Sequence, residues 1–562
     1  MVSRNWKFWP FGLLGLSGVF LLWGCSNSTR RAEADFVDFI GHYEQELSPL
    51  EKSIQEARWQ YAVSGTEDVL NVLDSLVGER QAMMHDKRAF GYLRELRESE
   101  SIRDPFLRRQ LELLYRDYLP CQVDLALQDS ILSLELELKA TTLDRMLDPE
   151  MQRADKILRT SLNENDLKQA WLYVKQPGPE MGGRYRELVR LRNRAARQVG
   201  FADYFELALF LEEQTESSLD SLFSALEMGT ADAYVEMRGG LDSLLFPEKW
   251  AKGEPLRPWH LRGRFFRFGQ RAYGATRDNY YEYVSMESVV LRFFSGINLD
   301  LSDVFGRSMI SGQAVYLPNL LCLDLDRRQD IRIVGHLSGT EHDMQMLLAM
   351  AAEAAYRKYI AQTLPFLLRE TASPVVTCGI GAFFARMAAY PNWVFSMGVF
   401  SAGQAWEWQE TSLAAMRQDQ LFTCRWWLLI YHFEKQLYKN PEADLDVLWR
   451  DLFVRYLKIE AGEDRIGYSD WVVENYFSQY AVHAHNFILG ELWASQLLRH
   501  LCQNDARLGK EENPNIVGDG DVGTFLKRYV FQFGASESWK EITVSGTGGS
   551  LSEDAFLDQF AR

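Results

Sequence analysis

Proline is scarce in this chain. Sixteen Pro in 562 residues leave room for long helices without ring-imposed breaks. Cysteine is scarcer still, with six residues. Their wide spacing and the lack of a C-x-x-C pair exclude a disulfide scaffold and a zinc ribbon; beyond Cys25, most read as small apolar core residues. Positive charge is in deficit: 61 Lys and Arg face 78 Asp and Glu, a net charge of −17. That balance sets nucleic-acid binding aside, because replacing phosphate counterions needs a basic footprint. Internal repeats and long linkers are also missing. What is plentiful is aromatic: 16 Trp, 24 Tyr and 33 Phe, in a chain that is 47% hydrophobic and 25% charged. This composition excludes a disordered or collagen-like protein and favours a large helical core.

The N-terminus reads as an export segment. Arg4 and Lys7 precede an uncharged run from Phe8 to Gly24, then Cys25 and a polar stretch to Arg31. A basic start, a short apolar run and a small residue before the break mark a secretory signal. Seventeen uncharged residues fall slightly short of the roughly 20 that span a bilayer. Leu22-Trp23-Gly24-Cys25 resembles a bacterial lipobox, although Trp23 replaces the usual small residue. This implies a signal at 1–24, a lipidated Cys25, a linker over 25–35 and a body over 36–562; an uncleaved membrane anchor is the alternative. Either places the body outside the cytoplasm, tethered to a bacterial membrane. Ser26 after the Cys resembles lipoproteins sent to the outer membrane, where the host has one.

Beyond Asp35 the pattern is helical. Phe36, Phe39, Ile40 and Tyr43 fall at i, i+3, i+4 and i+7, one amphipathic face. Similar stripes recur at 107–118, 131–147, 188–210, 344–363, 426–438 and 486–501. Gln176–Pro179, Phe246–Pro258 and Asn504–Gly523 read as breaks. Extended patterns occur at Ala314–Leu317, Leu321–Leu325 and Ile331–Val334, with a turn at Asp326–Gln329 making the last two a hairpin. The expectation is one large all-α unit with a minor β-hairpin element.

Several segments resemble the angiotensin-converting-enzyme family of zinc peptidases, particularly its bacterial members. They include Ala57-Arg58-Trp59-Gln60-Tyr61, Leu188–Asn193 with Gly200–Phe205, Leu256–His260, Cys322–Arg327, Leu364–Glu370 and Leu489–Gln496. The resemblance covers most of 36–560 in order. It implies a large bilobed, gluzincin-like helical fold with a deep central cleft, and a peptidyl-dipeptidase with zinc as cofactor.

The family's chemistry needs H-E-x-x-H on a helix, two imidazoles on one face with a Glu to activate the metal-bound water. No such motif exists in this chain. The equivalent window reads Ala349-Met350-Ala351-Ala352-Glu353, so the resemblance puts the first ligand on Ala349, the base on Met350 and the second ligand on Glu353. Thr340-x-x-Asp343 still offers a capping box, so a helix is expected there without its chemistry. The third ligand falls on Cys378, a neighbouring family His on Ser373 and the substrate-binding His on Asn319. The paired oxyanion tyrosines give way to His483-Ala484-His485-Asn486-Phe487. Loss of the metal water, the base and the oxyanion donors together removes essentially the whole rate enhancement. The expectation is therefore a pseudopeptidase without zinc, acting by binding a peptide or protein partner; its oligomeric state stays open.

Other chemistry is conceivable. Glu353, Cys378 and His483 or His485 could rebuild a metal site, or Cys378 and His483 could pair as nucleophile and base; either would make an active peptidase or hydrolase through a remodelled site. Glu341-His342-Asp343 is more economically a helix start than a metal cluster. His260 reads as bonded within a structural turn, and Trp426–Tyr431 as core. Arg262, Arg264, Arg267, Arg271 and Arg277 run without an intervening acid; they suggest contact with an anion or carboxylate, with pairing to surface carboxylates as the plainer account.

Overall fold

A computed structural model describes residues 16–561, apart from 162, 246, 255–256, 261–277, 282, 311–315, 318, 461–464, 475 and 478–479. Its framework is helical. The first helix, α1 (Leu16–Ser64), runs for 49 residues with Pro49 inside it. Phe36, Ile40, Tyr43, Leu47 and Ile54 form its buried face, extending the stripe read from sequence. Residues 25–35, expected as a linker, continue this helix. The Glu33 carboxylate accepts from the backbone amides of Arg103 (2.9 Å) and Asp104 (3.0 Å). Cys25 falls within the range of α1, but its side chain lies outside the described part.

Three further helices complete this layer: α2 (Glu67–Met84), α3 (Lys87–Ser99) and α4 (Pro105–Tyr118). Asp104 caps α4 by accepting from the Leu107 amide, and Pro105 takes the first turn, where its missing N–H costs nothing. Arg80 of α2 ties Glu51 of α1 (2.6 Å) to Asp117 of α4 (2.7 Å). The layer has its own apolar cluster, from Phe36 to Cys121, which also takes in Phe366 and Leu367.

The main core gathers side chains from Leu134 to Phe556. Four helices of this body frame the site: α5 (Glu341–Lys358), α6 (Pro374–Ala385), α7 (Ala402–Lys439) and α8 (Ala484–Asn504). The expected capping box exists: Thr340 Oγ1 accepts from the Asp343 amide at 3.1 Å, and the Asp343 carboxylate accepts from the Thr340 amide at 2.9 Å. The 426–438 stripe lies within α7, and Leu428, Leu429, Ile430 and Tyr431 are core.

Not every boundary matched. The 188–210 stripe is two helices, Gly178–Gln198 and Tyr204–Leu211. Gly200 at φ +96° turns the chain between them, and Asp203 caps the second. The break at Gln176–Pro179 is a tight corner, since helices end at Lys175 and begin at Gly178. A Cβ on Gly178 would lie 2.1 Å from the Tyr468 carbonyl oxygen. The expected loop at 246–258 holds a short helix, Pro247–Lys252.

A three-stranded sheet accompanies these helices. β2 (Leu321–Asp324) and β3 (Ile331–Gly335) pair antiparallel, Leu321 opposite Val334 and Asp324 opposite Ile331. This is the expected hairpin. Asp324 Oδ1 closes its turn by accepting from the Arg327 amide at 2.9 Å. A two-residue strand, β1 (Met309–Ile310), adds parallel to β3 and was too short to read as a period. Of the expected strand at 314–317, residues 314 and 315 lie outside the described residues, and Tyr316 donates to the Ala62 and Val63 carbonyls of α1. Among the described residues no helix is long and apolar enough to cross a membrane.

Candidate functional site

Small residues bring α5, α6 and α8 together. A Cβ built on Gly381 of α6 would lie 3.6 Å from the Ala349 Cβ of α5. A Cβ on Gly490 of α8 would come within 2.7 Å of the Cys378 Cβ, and one on Gly379 within 2.7 Å of the Trp493 ring. The helices therefore approach where side chains are missing, and Cys378 sits between α5 and α8. Ser373 caps α6, accepting from the Val375 amide at 3.2 Å, with Pro374 in the first turn.

Ala349, Met350 and Glu353 lie on the partly exposed stripe of α5. His342, Gln345, Met346, Ala349, Met350, Glu353 and Arg357 are accessible, while Met344, Leu348, Ala351, Ala352 and Ala355 are buried. Met350 also packs against the core. Glu353 is not available to a ligand: Arg357, one turn on, contacts its carboxylate at 3.0 Å. The same guanidinium reaches Glu370, which also faces Arg327 of the hairpin turn at 3.6 Å. Burial pushes the Cys378 thiol up to about 12, and the carboxylates of Glu353, Glu212 and Glu491 push it the same way. A thiol so placed stays protonated at neutral pH and is a poor nucleophile.

His483 and His485 join Glu212, a residue from the end of helix Tyr204–Leu211 that the sequence reading missed. His485 Nε2 lies 2.8 Å from Glu212 Oε2, and His483 Nδ1 lies 3.6 Å from Oε1. Asn486 donates its amide to the same carboxylate at 2.6 Å. Burial alone would raise Glu212, but hydrogen bonds and charge from the two histidines hold it well below the usual carboxylate range. No local motif marks Glu212; more than 270 residues separate it from its partners.

The approach to α8 rests on a second buried acid. Tyr476 Oη accepts from the amides of His483 and Ala484, both at 2.7 Å, and donates to Glu434 of α7. These are orphan donors at a helix start that has no side-chain cap of its own. Glu434 also accepts from the Val482 amide at 2.9 Å. Burial raises Glu434 to about 8 despite the hydrogen bonds from Tyr476 and Val482, which favour the charged form. Val482 stands at φ +54°, a strained backbone for a β-branched residue. The corner that aims His483 is thus held by hydrogen bonds against its own strain.

Residues 30–264 match the model of the angiotensin-converting enzyme peptidase family. Over that span the chain is similar to this family. The matched span is less than half of the chain and stops before α5, so the Ala349–Cys378 window rests on flanking resemblance. No curated protein matches the chain.

As arranged, Glu353, Cys378, His483 and His485 do not present a zinc donor set. Glu353 is engaged by Arg357, and the imidazoles turn to Glu212. Among the described residues, the His, Cys, Asp or Glu group with ligand atoms within 4.8 Å of one another is Asp505, Asp519 and Asp521. The Arg507 guanidinium already lies against all three. Glu353 thus belongs to an Arg–Glu pair, and His483 and His485 to a cluster with Glu212.

The remaining expectations find plainer places. Asn319 is exposed, with its carbonyl against Gly335 at the sheet. His260 accepts the Arg257 amide on Nδ1 at 2.8 Å, the turn contact expected of it; burial lowers it to about 4. The five cysteines beyond Cys25 are all free, Cys121, Cys322 and Cys424 buried and Cys378 and Cys502 partly so. Arg262, Arg264, Arg267, Arg271 and Arg277 lie outside the described residues.

Proposed function

We propose that this chain is a catalytically inactive, metallopeptidase-like lipoprotein that binds a peptide or protein partner instead of cleaving it. The observation that carries this is the fate of the catalytic window. Where the resemblance puts ligands and base stand Ala349, Met350, Glu353 and Cys378, and the one carboxylate among them is neutralised by Arg357. Hydrolysis of a peptide needs an activated water, a base and an oxyanion donor. The groups here are paired with one another and supply none of these. Lipid attachment at Cys25 would keep the body outside the cytoplasm and at the membrane.

Metal analysis of the purified protein, joined to a dipeptide-release assay with and without added Zn²⁺, tests the inactivity. The expected outcome is substoichiometric zinc and release no faster than the buffer control. Chelator-sensitive release would overturn it. Lipid attachment is tested separately: Cys25→Ala is expected to lose incorporation of labelled fatty acid and to leave the membrane fraction.

A further inference from the structure

The turn between α3 and α4 is fastened to the beginning of the described body. The Glu33 carboxylate holds it through the amides of Arg103 (2.9 Å) and Asp104 (3.0 Å). From that contact α1 and α4 run side by side in the same direction: the Tyr43 and Tyr118 rings meet at 5.9 Å, and Arg80 bridges Glu51 and Asp117. The turn therefore lies at the end of the layer where α1 enters. Ile102 is buried in the layer's apolar cluster, and Ala32 and Leu107 pack against it, so this end is a fixed surface.

Its exposed groups are of mixed charge with one large apolar side chain. Arg30, Arg31, Arg103 and Arg108 are exposed, and Phe106 is 50% exposed. Glu33 is taken up by the turn and Asp104 by the α4 cap, while Glu98 and Glu100 stand exposed. Side chains on a helix lean toward its N-terminus, so Arg30 and Arg31 of α1 and Phe106 and Arg108 of α4 lean out of this end.

Distance decides what meets it. α1 is one helix from Leu16 to Ser64, and a helix rises about 1.5 Å per residue. Arg30 then stands about 7.5 Å beyond Cys25 along the axis, and Glu33 about 12 Å. Even fully extended, the five residues from Cys25 to Arg30 reach at most about 18 Å. A lipid on Cys25, or an uncleaved Phe8–Gly24 run, would bring the same turn to the bilayer surface.

We propose that this end of the body, Arg30, Arg31, Arg103, Phe106 and Arg108, docks on the phospholipid headgroup layer. The inference rests on the membrane-anchor reading above and adds an orientation to it. Guanidinium groups pair with lipid phosphates, and Phe106 enters the boundary between headgroups and acyl chains. Glu98 and Glu100 face the ammonium groups of zwitterionic lipids, so the surface needs no net positive charge.

The full-length protein in vesicles of phosphatidylethanolamine and phosphatidylglycerol tests this. An environment-sensitive dye is placed on Phe106→Cys or, at the far end of α1, on Ser64→Cys, and is quenched by lipid carrying a headgroup spin label. The unaltered protein labelled in parallel sets the background, flotation reads attachment, and circular dichroism checks the fold. Quenching at position 106 is expected to be at least about twofold stronger than at 64. Adding Arg103→Glu and Arg108→Glu, both distant from the export segment, is expected to halve the signal at 106 without loss of flotation. Equal quenching at the two positions in a protein that floats would overturn docking and leave the anchor reading standing. Strong quenching at 106 untouched by the two Arg changes would reduce the contact to tethering and likewise overturn docking. A protein that fails to float would remove both readings.

Discussion

Glu434 is where a single titration has the widest consequence. Its folded value of about 8 stands above the ordinary 4.5, so the folded state holds a proton that the unfolded state releases. The contribution is fully present below about 4.5 and is lost as pH rises through about 8. Thermal midpoints are expected to fall across that window, and Glu434→Gln, which keeps the shape but cannot ionise, to flatten the slope. Glu212 has the opposite sign. Its depressed value gives stability above the ordinary carboxylate range that is lost only as pH falls through the folded value. Cys378 supplies a second check at this scale. With its thiol raised to about 12, carbamidomethylation at neutral pH is expected to run at least about a hundredfold slower than for a free cysteine. Residue-resolved mass spectrometry reads this directly, and rapid labelling in the folded protein would sink the protonated-thiol account.

At the scale of the element, α5 forms without an H-E-x-x-H motif, because its start and its buried face do not depend on residues 349, 350 and 353. The capping box of Thr340 and Asp343 satisfies the first amides, while Met344, Leu348, Ala351 and Ala355 supply the core stripe. Thr340→Ala is expected to cost about 1 kcal/mol, read as a drop in the midpoint of denaturant unfolding. The contact of α6 with α8 is less forgiving. A methyl on Gly490 would sit 2.7 Å from the Cys378 Cβ, so Gly490→Ala is expected to cost about 1–3 kcal/mol through overpacking. A cost near zero would mean that the two helices are not in such close contact.

Across the whole molecule, ion pairs join elements that are distant in sequence. Arg80 binds α1, α2 and α4 together, and Arg357 joins α5 to Glu370 and, through it, to Arg327 of the hairpin turn. If Arg357 is the cation that Glu353 relies on, added Zn²⁺ or a chelator should leave the melting temperature unchanged. Arg357→Met should lower it more than Glu353→Gln does, because two carboxylates then lose their partner. A zinc-dependent rise in melting temperature for the unaltered protein would contradict that arrangement.

Sequence alone determined the helical class, the main stripes, the hairpin with its turn and the absence of H-E-x-x-H. These depend on periodicity and on residue identity, which are local. Tertiary structure decided who partners whom. Nothing near Glu212 in the chain announces His483 and His485, and nothing near Glu434 announces Tyr476, since both contacts are made by helices that meet only on folding. Glu353 and Cys378 could be aligned with a metal site from sequence. Their pairing and burial, set by Arg357 and by the close approach of α5, α6 and α8, were fixed only in three dimensions. Even the 188–210 stripe needed the fold: its apolar spacing was continuous, but Gly200 and the Asp203 cap turned one expected helix into two.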